Sequence, residues 1–110
     1  MTYIIVYITA KDEDEASRIG EAVVKERLAA CANVIPEIKS VYWWNGAVES
    51  NSEAVLLLKS VDGKAGQIIE RVRELHSYDV PSIDVIPVTD GNPECFKWIE
   101  ESLKPVRGSE

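Results

Sequence analysis

Tyr3-Ile4-Ile5-Val6-Tyr7-Ile8 and Ala54-Val55-Leu56-Leu57-Leu58 are the two unbroken apolar runs of the chain. Side chains alternate across a strand, so a run with no polar interruption keeps both of its faces from water. These two segments therefore predict central strands, flanked on both sides and covered above and below.

Working outward, the first run predicts a strand from about Thr2 to Thr9. Lys11-Asp12-Glu13-Asp14-Glu15 follows, then Ala16, Ile19, Gly20, Val23, Val24 and Leu28 at helical spacing. Asp12 is placed to cap that helix, and the acids after it suit the positive end of the helix dipole. The same acids could gather a metal ion, but adjacent helical side chains do not converge on one point. A second strand is expected from about Asn33 to Trp44, with Pro36 implying a bulge or an edge. Asn45-Gly46 is the strongest short hairpin signal. It turns the chain into a third strand, about Ala47 to Val61.

Asp62 opens a second helix with Ala65, Ile68, Ile69, Val72 and Leu75 on one face, and a fourth strand covers about Val80 to Thr89. Asn92-Pro93 reads as a cap and a first-turn proline for a third helix carrying Phe96, Ile99 and Leu103. That helix stops near Pro105, and Arg107 to Glu110 read as a frayed tail. The order is β-α-β-β-α-β plus a C-terminal helix, an α+β ferredoxin-like pattern with an antiparallel sheet, expected as one domain over residues 1–110.

Right-handed crossovers put the first two helices on one face of that sheet, leaving the other face open. The open face would carry about eight large apolar side chains, worth roughly 1.5–3 kcal/mol each when buried. A monomer exposing them would aggregate, so the sequence predicts a homo-oligomer. The hairpin overhangs the sheet and offers free edges to another subunit. Trp43 and Trp44 point to opposite faces, one expected against its own subunit and one against a neighbour.

The formal net charge is −7, which argues against a nucleic-acid partner. No stretch approaches the roughly 20 apolar residues of a membrane span. The first residues enter a strand at once, without a signal-peptide pattern, so a cytoplasmic location is expected. Cys31 and Cys95 lie far apart, in no metal-like spacing, and are expected to stay unpaired.

No catalytic signature is present: the sequence has no G-x-S-x-G, P-loop, G-x-G-x-x-G or C-x-x-C, and the expectation is a protein that is not an enzyme. His76, the sole histidine, sits where the second helix ends. It is either a structural group at a helix C-terminus or the one imidazole available to a metal. Cys31 is either a buried thiol among small residues or a thiolate ligand. Glu53 and Lys59 share one face of the third strand by even spacing, and are either solvated strand ends or part of a polar pocket with His76 and Tyr78.

Glu26-Arg27-Leu28-Ala29-Ala30-Cys31-Ala32-Asn33, Tyr42-Trp43-Trp44-Asn45-Gly46, Glu53 through Lys59, and His76-x-Tyr78-x-x-Pro81 together resemble the CutA divalent-cation-tolerance family, from about Ile4 to Leu103. The resemblance implies a compact homotrimer built by inter-subunit strand pairing and similar in structure to PII signalling proteins. It implies a role in tolerance of copper and other divalent metal ions, with no obligatory cofactor. An alternative is a PII-like sensor that binds a small metabolite at the subunit cleft. Some family members use a first-strand cysteine and two successive histidines for copper. Those positions here read Ile8 and Leu75-His76. The candidate metal ligands are then His76, Cys31 and Glu53, with Trp44, Lys59 and Tyr78 expected in one cleft near a subunit boundary.

Overall fold

The structure, a computed structural model, describes residues 1–105. The expected frayed tail lies outside the described residues. The chain runs β1 (Tyr3–Ala10), α1 (Glu13–Lys25), β2 (Cys31–Trp44), β3 (Ala47–Val61), a 3₁₀ turn (Asp62–Lys64), α2 (Ala65–Leu75), β4 (Ile83–Val88) and α3 (Pro93–Ser102). The sheet is antiparallel in the order β2-β3-β1-β4, so the two doubly apolar strands are central.

Alternation along β1 and β3 divides the sheet into two faces. Ile4, Val6, Ile8 and Ala10, with Ala54, Leu56 and Leu58, form the main core. Ala16, Ile19 and Val23 of α1 and Ile68 and Val72 of α2 pack on that core. Gly20 brings α1 in close: a Cβ there would lie 2.9 Å from both Ala32 Cβ and Leu56 Cδ1.

The second face is not wholly open, as the sequence had suggested. The third helix lies against its far end, where Ile99 and Leu103 pack with Val61, and the Phe96 ring stacks on Tyr3 at 4.1 Å. Tyr3 also donates its hydroxyl proton to Glu100. Two cross-strand rows remain half-exposed: Cys31, Lys59, Ile5 and Ile86, and then Asn33, Leu57, Tyr7 and Asp84.

Local chemistry accounts for the ends of the elements. Asp12 caps α1 by accepting the Glu15 N–H at 2.9 Å, and Asn92 caps α3 by accepting that of Glu94 at 3.0 Å. Asn45 and Gly46 both have positive φ, 49° and 80°, as a type I′ turn requires. The register shifts between Ile35 and Ile38, a bulge at Pro36. Three boundaries differ from expectation. The second strand begins earlier, because Cys31 already pairs with Lys59. Asp62 accepts the Thr2 N–H at 3.1 Å instead of capping a helix, and a 3₁₀ turn intervenes. The fourth strand starts at Ile83, not Val80: Pro81 has no N–H to give a ladder, and Val80 is 87% exposed.

Candidate functional site

The polar centre of the molecule lies where α2 ends. His76 closes that helix with its own N–H on the Val72 carbonyl at 2.9 Å. Its side chain is fully buried. Nε2 lies 2.8 Å from the carbonyl oxygen of Thr9, an acceptor, so the proton sits on Nε2. Nδ1 then accepts the Tyr78 N–H at 3.1 Å. Both ring nitrogens of a neutral imidazole are committed within the protein.

Glu15, 1% exposed, stands beside this ring with Oε1 3.8 Å from Nδ1. Its oxygens accept the Lys11 N–H at 3.1 Å and the Ser77 N–H at 3.0 Å. Burial opposes its charge, but the bonds from Ser77 and Lys11 outweigh that effect and hold its pKa below the usual carboxylate value. Sequence reasoning saw Glu15 merely as one acid of a helix-dipole run. The available signal was its place three residues after the Asp12 cap, the spacing of a capping box.

Tyr78 packs its ring on His76, centroids 4.7 Å apart, and donates its hydroxyl to Glu53 Oε2 at 2.8 Å. Burial first, and then the Glu53 carboxylate, push the phenol well above its ordinary pKa. Tyr78 thus touches both His76 and Glu53. The other candidates do not join them within one protomer. Lys59 and Cys31 pair with each other on the second face. At about 3.3 Å per residue, Lys59 lies about 20 Å along β3 from Glu53. Trp44 pairs with Ala47 at the hairpin tip, about 20 Å from Glu53 in the other direction. Neither tryptophan packs in its own protomer: Trp43 is 75% and Trp44 61% exposed.

A metal centre of His76, Cys31 and Glu53 is therefore not assembled in the protomer. Among the described residues, no three His, Cys, Asp or Glu side chains gather to hold an ion. The residues do not fit a resident metal: the imidazole has no free lone pair, and the thiol is a sheet length away. Both cysteines are free thiols. Cys31 Sγ contacts Asn33 Oδ1 at 3.6 Å, and Cys95 packs with the Val61 cluster.

The segment Glu26 to Asn33 instead ties elements together. Glu26 takes a bidentate pair from Arg71 of α2, with Nε–Oε1 at 2.9 Å and Nη2–Oε2 at 2.9 Å. Arg27 has φ 63° and donates to the Ser102 carbonyl of α3. The Leu28 carbonyl accepts the buried Ser60 hydroxyl at 2.6 Å.

A ferredoxin-like sheet with an overhanging ribbon, and at its root a Glu-His-Tyr-Glu cluster whose Glu15 and His76 are buried, defines a small α+β protein. The chain belongs to the CutA1 divalent ion tolerance protein family, whose model matches residues 4–102. It is 41% identical over 98 residues to the divalent-cation tolerance protein CutA of Thermus thermophilus, covering 89% of this chain and 95% of that one. It is 35% identical over 101 residues to the rice chloroplastic protein CutA 1, covering 92% of this chain but 57% of that protein. The chain thus spans little more than half the length of the plant relative. Among solved structures, the periplasmic divalent cation tolerance protein CutA of Archaeoglobus fulgidus superposes with a TM-score of 0.90 at 35% identity, covering 93% of this chain and 99% of that one.

These relatives correct the expected cytoplasmic location. One is chloroplastic and another is described as periplasmic, so the strand at the start of this chain does not indicate its compartment.

Proposed function

We propose that the chain is a non-catalytic divalent-cation tolerance protein that works as a homotrimer and binds copper or other divalent cations weakly, through carboxylates that leave most metal positions to water. The half-exposed second face carries this reading. Ile5, Leu57 and Tyr7 lie there in two rows that α3 leaves uncovered. Val41, Trp43, Trp44 and Val48 extend the apolar surface along the ribbon, each more than half exposed. A second copy of the same chain would supply a matching surface, and the trimer implied by the family resemblance supports a count of three.

The commitment of both nitrogens of the sole imidazole supports the non-catalytic reading, since no histidine is free for proton transfer. Weak cation binding follows from the net charge of −7 combined with the lack of three converging ligands among the described residues. Light scattering at micromolar concentration is the test, with an expected mass about three times the 12.2 kDa of one chain. A monomer mass would overturn the assembly. Calorimetry with Cu²⁺ and Zn²⁺ on that species should give weak, salt-sensitive heats. Tight stoichiometric binding would overturn the cation reading.

A further inference from the structure

We infer that Glu15, His76, Tyr78 and Glu53 form a latch that fixes the direction in which the β2–β3 ribbon leaves the body of the protein. Its consequence for assembly rests on the trimer reading proposed above.

The ribbon has a hinge. Pairing of β1 with β3 ends at Ala10 opposite Ala54. From Glu53 to Ala47, β3 keeps the β2 partner, and the first pair beyond the register shift is Ile38 with Glu53. The loss of the third strand and the bulge in the second thus coincide at one residue. Bulges bend a ribbon, and isolated two-stranded ribbons are marginal and strongly twisted. The ladder by itself leaves the exit angle soft at this point.

Glu53 is the residue the latch holds. The Tyr78 hydroxyl bonds its carboxylate, and Tyr78 is fixed in turn by its N–H on His76 Nδ1 and its ring on the imidazole. His76 is anchored to the Thr9 carbonyl, near the end of β1. Glu15 holds the intervening Ser77 N–H and, through Lys11, the start of α1. A continuous chain of directional bonds therefore runs from the rigid β1–α1 corner to the root of the ribbon. Closing a helix C-terminus takes far less than this, commonly one backbone motif.

The lever is long. Six residues of β3 beyond Glu53 span about 20 Å, so a 10° change there moves the tip by about 3.5 Å. That displacement exceeds the tolerance of side-chain packing, and it acts on Trp43, Trp44 and Val48, the exposed apolar residues at the tip.

Hydrogen exchange of the parent, Tyr78→Phe and Glu53→Gln tests the latch. Phenylalanine keeps the ring and removes the hydroxyl, whereas glutamine keeps an oxygen that accepts it. In Tyr78→Phe, the amides of residues 38–53 should exchange about tenfold faster while those of β1 stay unchanged. Glu53→Gln should behave like the parent. Unchanged exchange in Tyr78→Phe, or acceleration spread equally over β1, would overturn the latch. Glu53→Ala repeats the comparison should the phenylalanine variant not fold. A monomeric parent in light scattering would defeat the assembly reading alone, because the latch is intramolecular and its exchange pattern is read either way.

Discussion

Arg27 donates its Nη1 proton to the main-chain carbonyl of Ser102 at 2.9 Å, tying the end of α1 to the last turn of α3. The two helices lie on opposite faces of the sheet, so this bond runs around its edge. Arg27 also occupies the left-handed position of a Schellman motif, with its N–H on Val24 and the Leu28 N–H on Val23. Glycine is the usual residue there, because an L side chain costs about 1–2 kcal/mol in that conformation. The guanidinium, placed at a helix C-terminus, offsets that cost.

Arg27→Ala should therefore keep the strain and lose the bond, destabilising by about 1–2 kcal/mol. Arg27→Gly loses the same bond but relieves the strain, so it should recover about 1 kcal/mol relative to alanine. Urea denaturation of both variants at one protein concentration measures the difference. Equal stabilities would show that the backbone conformation carries no strain.

Gly20 and Gly66 should respond oppositely to alanine. In α1, the new methyl meets Ala32 Cβ and Leu56 Cδ1 at 2.9 Å, and the alanine partner cannot rotate away. Overpacking of this kind costs about 1–3 kcal/mol, more than helix propensity returns. In α2, a methyl at Gly66 meets nothing within 4 Å. Gly66→Ala should stabilise by about 0.5 kcal/mol through the unfolded chain alone. Melting temperatures that fall for Gly20→Ala and rise slightly for Gly66→Ala are the expected result.

Strand pattern and turn chemistry were legible because both are local. Asn45-Gly46, Pro36, Asn92-Pro93 and the limits Ala47–Val61 follow from side chains acting within a few residues. The cluster was legible in part. Tyr78 touches both His76 and Glu53, but Lys59 and Trp44 do not join them, because sharing one face of a strand is not sharing one place when each residue rises about 3.3 Å. Glu15 and His76 are brought together by the packing of α1 beside α2, which no short-range spacing encodes. The side taken by α3 was equally hidden. It is set by Phe96 on Tyr3 and by Ile99 on Val61, contacts between opposite ends of the chain.

Acid should weaken the fold through Glu15. Its folded pKa lies below the ordinary 4.5, so the unfolded chain binds its proton more readily than the folded one. The carboxylate's contribution is fully present above about pH 5 and is lost as pH falls through the folded value. Glu15→Gln should flatten the stability profile below pH 5 relative to the parent. Parallel profiles for the two proteins would mean that other carboxylates set the acid limb.

Copper should not choose His76. Binding at either ring nitrogen requires breaking the bond to Thr9 or the bond from Tyr78, inside a site with no exposed side-chain surface. An unpaired buried N–H costs about 1–3 kcal/mol, and one imidazole with no converging thiol or second histidine does not return it. Cu²⁺ titration of the parent and of His76→Gln should give the same weak affinity. Glutamine does not reproduce the ring geometry that bonds both Thr9 and Tyr78, so imidazole acylation of the parent provides a second measurement. The ring should react far more slowly than in denatured chain, and at the same rate with or without Cu²⁺. Protection by copper, or a loss of copper affinity in a folded glutamine variant, would restore His76 as a ligand.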